Sequence, residues 1–120
     1  MIKIPVSYGE LFDKITILQI KKEKIQSDNI AKELQLLLDT SKEIKVDDNL
    51  FDQLKLINQT LWDIEDQIRI KEKNQQFDQE FINLARSVYI ENDKRAAIKK
   101  LINIQLNSDI VEEKQYVDYE

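Results

Sequence analysis

From Leu50 onward the chain repeats apolar residues at one spacing: Leu50, Leu54, Ile57, Leu61, Ile64 and Ile68 alternate four and three apart. That alternation keeps one face of an α-helix buried against a partner. Beside this seam, not opposite it, run Asn58, Trp62, Glu65 and Arg69, again at helical spacing, with Asp66 next to them. An amide, an indole, two carboxylates and a guanidinium at the edge of a core must find partners, because burying such groups unpaired is costly. The stripe reads as a ligand site or as a device that fixes how the helices pair.

The rest of the chain agrees with helix. A single Gly and a single Pro among 120 residues leave few turn positions, and Ile, Leu, Lys, Glu and Gln abound. The length suits one domain with a modest core, which pairing with a second copy would enlarge. A net charge of −5 argues against general duplex nucleic-acid binding, since no broad cationic field is there to displace counterions. Lys94, Arg95, Lys99 and Lys100 still form a local basic strip. Without Cys or His, disulfides, thiolate chemistry, imidazole bases and His-ligated zinc are excluded, and any metal site would be all-oxygen. No apolar run approaches a membrane span and Met1 to Val6 does not read as a signal peptide, so the expectation is a soluble, cytoplasmic protein.

Residues 1–6 read as an extended lead-in, with Pro5 opposing helix. Ser7 and Glu10 fit a capping box for a first helix reaching about Gln26, with Leu11, Ile15, Leu18 and Ile25 near one face. Ser27 to Asn29 can cap a second helix carrying Ile30, Leu34, Leu37 and Leu38, and Thr40 to Asp48 is polar enough for a loop. Asp47 or Asp48 caps the third, which should reach about Lys73. A fourth begins near Asp78 and presents Phe81, Leu84, Ala85 and Val88. Glu91 to Arg95 interrupts its apolar pattern. The interruption is either a turn capped by Asn92 or Asp93, or a helix running through. Ala96, Ile98, Leu101, Ile102 and Ile104 follow, and Asn107-Ser108-Asp109 closes the helix. Residues 108–120 form an acidic tail. The fold class predicted is all-α: an antiparallel bundle of about four helices, two of them long, in one domain over 1–120.

Three constellations carry chemistry. On the third helix, Glu65 and Arg69 can pair at i, i+4 as an ordinary border, or Trp62 can stack on a flat ligand while Arg69 grips a phosphate or carboxylate. On the fourth, Arg86, Tyr89, Asp93 and Lys100 fall near one face and Asn92, Arg95, Lys99 and Asn103 on its neighbour. On the first, Ser7 and Glu10 cap and Glu10 pairs with Lys14, or Gly9 and the free N–H groups of the first turn seat an anion beside Asp13. Carboxylates recur at i, i+3 as Glu10 with Asp13 and Asp63 with Asp66, a weak signal for Mg²⁺. Glu112-Glu113-Lys114 reads first as a solvated run of the tail, with a fold over the site as the alternative.

The strings Ile4 to Leu18, Leu61 to Arg69, Leu84 to Tyr89, Asn92 to Lys99 and Ser108 to Tyr116 resemble motifs of an uncharacterised bacterial family of small helical proteins. The resemblance spans nearly the whole chain. It implies a domain of unknown function, often encoded near glycosyltransferases and other cell-surface polysaccharide genes. It also implies that Ser7, Gly9, Glu10, Asp13, Lys14, Asn58, Trp62, Glu65, Asp66, Arg69, Arg86, Tyr89, Asn92, Asp93, Arg95 and Lys99 belong together.

The leading expectation is a helical binding domain, homodimeric, with a polar pocket among the first, third and fourth helices. It would take a small anionic ligand such as a nucleotide-sugar or phosphosugar, in a role accessory to glycan biosynthesis. Two alternatives stand beside it. One is an enzyme, either a Mg²⁺-dependent phosphohydrolase using Glu10, Asp13, Glu65 and Asp66 or a metal-free mutase using Arg69, Arg86 and Lys99. The other is an oligomerisation module whose polar stripes form a buried ion-pair network. No cofactor is indicated.

Overall fold

A computed structural model describes residues Met1 to Glu120. Four helices follow in order: α1 (Tyr8–Lys24), α2 (Asp28–Ser41), α3 (Asp48–Lys73) and α4 (Gln79–Gln105). Ser7, Asp47 and Asp78 each accept a hydrogen bond from the backbone N–H three residues on, which fixes the starts of α1, α3 and α4. Ser27 caps α2 by position but makes no such side-chain bond. The starts fall where the sequence places them, whereas α1 stops two residues short of Gln26.

The chain leaves its long helices without glycine. After α3, Gln75 takes φ 53° and after α4, Asn107 takes φ 54°. In the first case the N–H groups of Gln75 and Gln76 donate to the carbonyls of Glu72 and Lys71; in the second those of Asn107 and Ser108 donate to Ile104 and Asn103. Both are the paired 5→2 and 6→1 bonds of a Schellman end, with Gln and Asn where glycine is usual. α4 runs unbroken through Glu91 to Arg95, so no turn forms there. The helix ends at Gln105, and Asn107 supplies the reversal. Beyond it the tail is non-helical.

Three contacts order the long pair. Lys71 Nζ lies 3.0 Å from Asp78 and 3.1 Å from Glu80 beside the connection. Asn58 meets Arg95 midway. At the far end the Asp47 N–H donates to Gln105 Oε1 at 2.9 Å. Positions rise along α3 as they fall along α4, so the two are antiparallel. α1 packs against α2, α3 and α4 alike, and α2 packs on α1. One cluster joins them, with Leu11, Phe12, Ile15 and Leu18 of α1 meeting Leu34, Leu54 and Ile102. Leu61 and Ile64 of the heptad run are also buried, and Phe12 sets its ring edge-on to Phe51 at 6.3 Å between centroids. The apolar stripes are wider than the core: Ile25, Leu38, Leu101 and Ile104 stay exposed.

No helix is long and apolar enough to cross a membrane.

Candidate functional site

The buried face of α1 is not wholly apolar. Asp13 and Thr16, one turn apart between Phe12 and Ile17, are 5% and 0% exposed. Opposite them α3 brings Asn58, whose Nδ2 donates to Asp13 Oδ1 and to Thr16 Oγ1, both at 2.8 Å. Thr16 passes its own hydroxyl proton to the Asp13 carbonyl at 2.8 Å. From the other side Arg95 of α4 donates to Asn58 Oδ1 at 3.0 Å, and its second terminal nitrogen donates to Asn92 Oδ1. An ionised carboxylate only accepts and a guanidinium only donates, so Asn58 has one orientation that satisfies both.

One turn along α4, Lys99 faces the carboxylates of α1. Its ammonium bonds Glu10 at 2.8 Å, lies 3.6 Å from Asp13, and reaches Glu112 of the tail at 3.5 Å. The hydrogen bond from Lys99 holds the Glu10 carboxyl below the usual range, against the upward push of partial burial. Burial pulls the Lys99 ammonium down, but the bond to Glu10 and the charges of Asp13, Glu10 and Glu112 outweigh it and hold the group above its usual value. Glu10 therefore pairs across the bundle with Lys99 rather than along its helix with Lys14.

Gly9 marks the closest approach of α1 to α4. Its N–H donates to the buried Asn103 Oδ1 at 2.7 Å, and a Cβ built there would sit 2.6 Å from the Lys99 carbonyl oxygen. Besides Gly9, two further N–H groups expected to seat an anion are already engaged: that of Glu10 goes to Ser7 Oγ at 3.1 Å and that of Leu11 to the Ser7 carbonyl. No buried side-chain nitrogen or oxygen lacks a partner.

The outer half of the site is open. Between α3 and α4 a cleft of about 460 Å³ is floored by Ile17, Leu61 and Val88, with Trp62 on one wall and Asn92 and Arg95 on the other. Glu65, Asp66 and Arg69 stand at its mouth. Arg95 forms no ion pair; its protein partners are the two neutral amide oxygens of Asn58 and Asn92. It is a half-buried cation with no carboxylate at ion-pair distance, although its charge helps to lower the Glu10 carboxyl. Arg69 is different: its side chain is 79% exposed and touches only Glu65, at 3.6 Å. Exposed pairs of this kind contribute little. Arg69→Ala is expected to change unfolding stability by less than about 0.5 kcal/mol in chemical denaturation.

Of the sixteen residues singled out in the sequence, the structure draws together Glu10, Asp13, Asn58, Asn92, Arg95 and Lys99. Trp62, Glu65, Asp66 and Arg69 share the adjoining cleft. Tyr89 and Asp93 face the tail, where the Tyr119 hydroxyl donates to Asp93 at 2.7 Å and the Tyr89 and Tyr119 rings meet edge-on. That bond, with Asp93 ionised, pushes the Tyr119 phenol up to about 12. Ser7 and Gly9 sit at the helix start. Lys14 and Arg86 are exposed and form no hydrogen bond or ion pair with the rest. Glu10, Asp13, Glu65 and Asp66 do not gather into a metal-binding group, and no cluster of three or more acidic residues does. Sequence reasoning left out Thr16, whose signal was a hydroxyl on an otherwise apolar face, and took Glu112 for a solvated residue. Asn103 lay on the Asn92–Arg95–Lys99 stripe without an assigned role.

The architecture is thus an all-helical bundle with a polar seam at its centre and a cleft above it. The chain belongs to DUF6165, a family of unknown function, whose pattern matches residues 2–119. No curated protein and no solved structure gives a match.

Proposed function

We propose that this is a cytoplasmic helical binding domain that takes a small anionic ligand at Arg95, in the cleft walled by Trp62. The observation that carries the reading is the guanidinium itself. It is half-buried, without a carboxylate in ion-pair contact, held by two amide oxygens, and it lines the cleft with N–H donors to spare. The cleft volume of about 460 Å³ lies within the span of small-molecule sites. Trp62, whose indole N–H bonds nothing in the protein, offers a flat face to a ring. A phosphosugar or nucleotide-sugar suits an Arg-plus-indole site, and the family resemblance to proteins encoded beside glycan-assembly genes supports a role accessory to that process. Pairing of two copies belongs to the same reading, supported by a lean core of 17 buried residues in 120.

A second reading is favoured for the inner half. Asn58 bonds Asp13 and Thr16, Lys99 lies against Asp13, Asn103 holds the Gly9 N–H, and no buried side-chain polar atom is left over, as in a network that fixes helix register. The two readings are compatible: the network holds Asn58, and Asn58 holds Arg95.

A thermal-shift panel of sugar phosphates, nucleotide-sugars and nucleoside diphosphates tests the proposal. At least one compound should raise the melting temperature of the wild type, because only the folded state binds it. Arg95→Met should abolish the shift, whereas Arg69→Ala should only weaken it. A shift that survives Arg95→Met, or no shift with any compound, sinks the reading.

A further inference from the structure

The tail lies along α4 and is tied to it at two places. Glu112 meets Lys99, and seven residues later Tyr119 bonds Asp93 and sets its ring 5.1 Å from that of Tyr89. Between these ties the tail and the helix flank an open cavity of about 510 Å³. Tyr89, Tyr116, Tyr119, Asp93 and Lys114 line it, and Val88, Asn92 and Arg95 line both this cavity and the Trp62 cleft. The two spaces therefore adjoin across Arg95, with an aromatic wall on either side of one cation.

The linings differ in their aromatic content. The cleft offers one indole over an apolar floor, with Glu65, Asp66, Arg69 and the amides of Asn58 and Asn92 around it. The tail side combines three phenol rings with the Asp93 carboxylate and the Lys114 ammonium, and shares the Asn92 amide. Aromatic faces cover the C–H faces of a ring, while charged and amide groups take hydroxyls, so the mixture suits a polyhydroxylated ring better than a purely apolar one. Tyr119 occupies only Oδ2 of Asp93, which leaves the other carboxylate oxygen to accept from a ligand hydroxyl. Lys114 lies 5.9 Å from the Tyr116 ring centroid and 3.7 Å from Glu112, at the edge of the same space.

We propose that the tail cavity is a sugar subsite: a hexose ring lies against the tyrosines, with hydroxyls on Asp93 and Lys114, and its phosphate reaches Arg95. This rests on the anion-binding reading of Arg95 and adds to it a second set of residues and a ligand of two chemical parts. The tail would then be a wall of the site.

The test is a titration of the full chain, followed by amide and arginine side-chain NMR shifts, with inorganic phosphate and with the 1-phosphates of glucose, galactose, mannose and N-acetylglucosamine. At least one hexose phosphate should bind tenfold or more tighter than phosphate. Tyr116→Ala should cut that ratio at least fivefold; Tyr116 is 71% exposed, so its loss cannot unfold the bundle. Tyr89→Ala should act in the same direction. If phosphate binds at Arg95 but no hexose phosphate binds tighter, or both tyrosine variants keep the ratio, the subsite is overturned and the Arg95 reading stands. If neither phosphate nor any hexose phosphate binds, the Arg95 reading fails and the subsite falls with it.

Discussion

Lys99→Met is expected to destabilise the protein by about 3–5 kcal/mol at neutral pH, the range for stranding a buried charge by removing its partner. Three carboxylates would lose their common cation, and Asp13 is too deeply buried to turn to water. The pH dependence discriminates further. In the wild type, Glu10 is held below its ordinary 4.5, so its contribution is complete above that value and is lost as pH falls through the lowered one. Lys99 is held above its ordinary 10.5, so its contribution is complete below that value and is lost as pH rises through the raised one. The pair thus supports a plateau between the two. In the variant Glu10 loses the hydrogen bond that chiefly lowers it, leaving partial burial opposed by the charges of Lys14 and Arg95. The acid-side loss of stability that runs through Glu10 should therefore be smaller than in the wild type. Urea titrations at several pH values would decide it, and a variant with wild-type stability and profile would remove Lys99 from the network.

Gly9→Ala gives the second large effect, and its sign is the informative part. Gly9 lies in the first turn of α1 with an ordinary helical backbone, where alanine would normally stabilise by roughly 0.5–1 kcal/mol. Here the added methyl would press on a backbone carbonyl at 2.6 Å and on the Asn103 amide at 3.1 and 3.2 Å. Pushing α1 away from α4 should cost about 2–3 kcal/mol. Asn103→Ala in the same chain should not rescue it, because the Lys99 carbonyl stays. Thermal melts of the single and double variants would show this, and a stabilised Gly9→Ala would mean that α1 and α4 do not meet so closely.

Much of the scaffold was legible from local chemistry. Asp47 and Asp78 announce helix starts through their own backbone bonds, and the heptad run identifies α3 without reference to any other element. Continuity through Glu91 to Arg95 was open because Asn92 and Asp93 cap well. In the structure α4 stays helical from Gln79 to Gln105, and Arg95 donates back to Asn92 one turn earlier instead of Asn92 capping a new helix. The candidate site was legible as a set of residues but not as a set of pairs. Glu10 finds Lys99 across 89 positions and Gly9 finds Asn103 across 94, and nothing periodic connects such partners. The different settings of Asn58 and Arg69 were hidden for a similar reason. The two share a stripe, yet the helix turns Asn58 inward and leaves Arg69 at the rim. For the tail the sequence offered both a solvated run and a fold over the site, and its attachment depends on single contacts at Glu112 and Tyr119.

The contact between Gly9 and Asn103 also sets the order in which the molecule can be completed. α1 is made first, but the groups that neutralise and satisfy its polar face arrive with Asn58, Arg95, Lys99 and Asn103. A nascent chain that has not yet exposed α4 carries Asp13 on an apolar surface with no cation to meet it, so α1 has every reason to stay undocked. Closing the seam joins opposite ends of the chain, and contacts of such separation form slowly. Arg95 thus gains its bond to Asn58 only once α3 and α4 have paired.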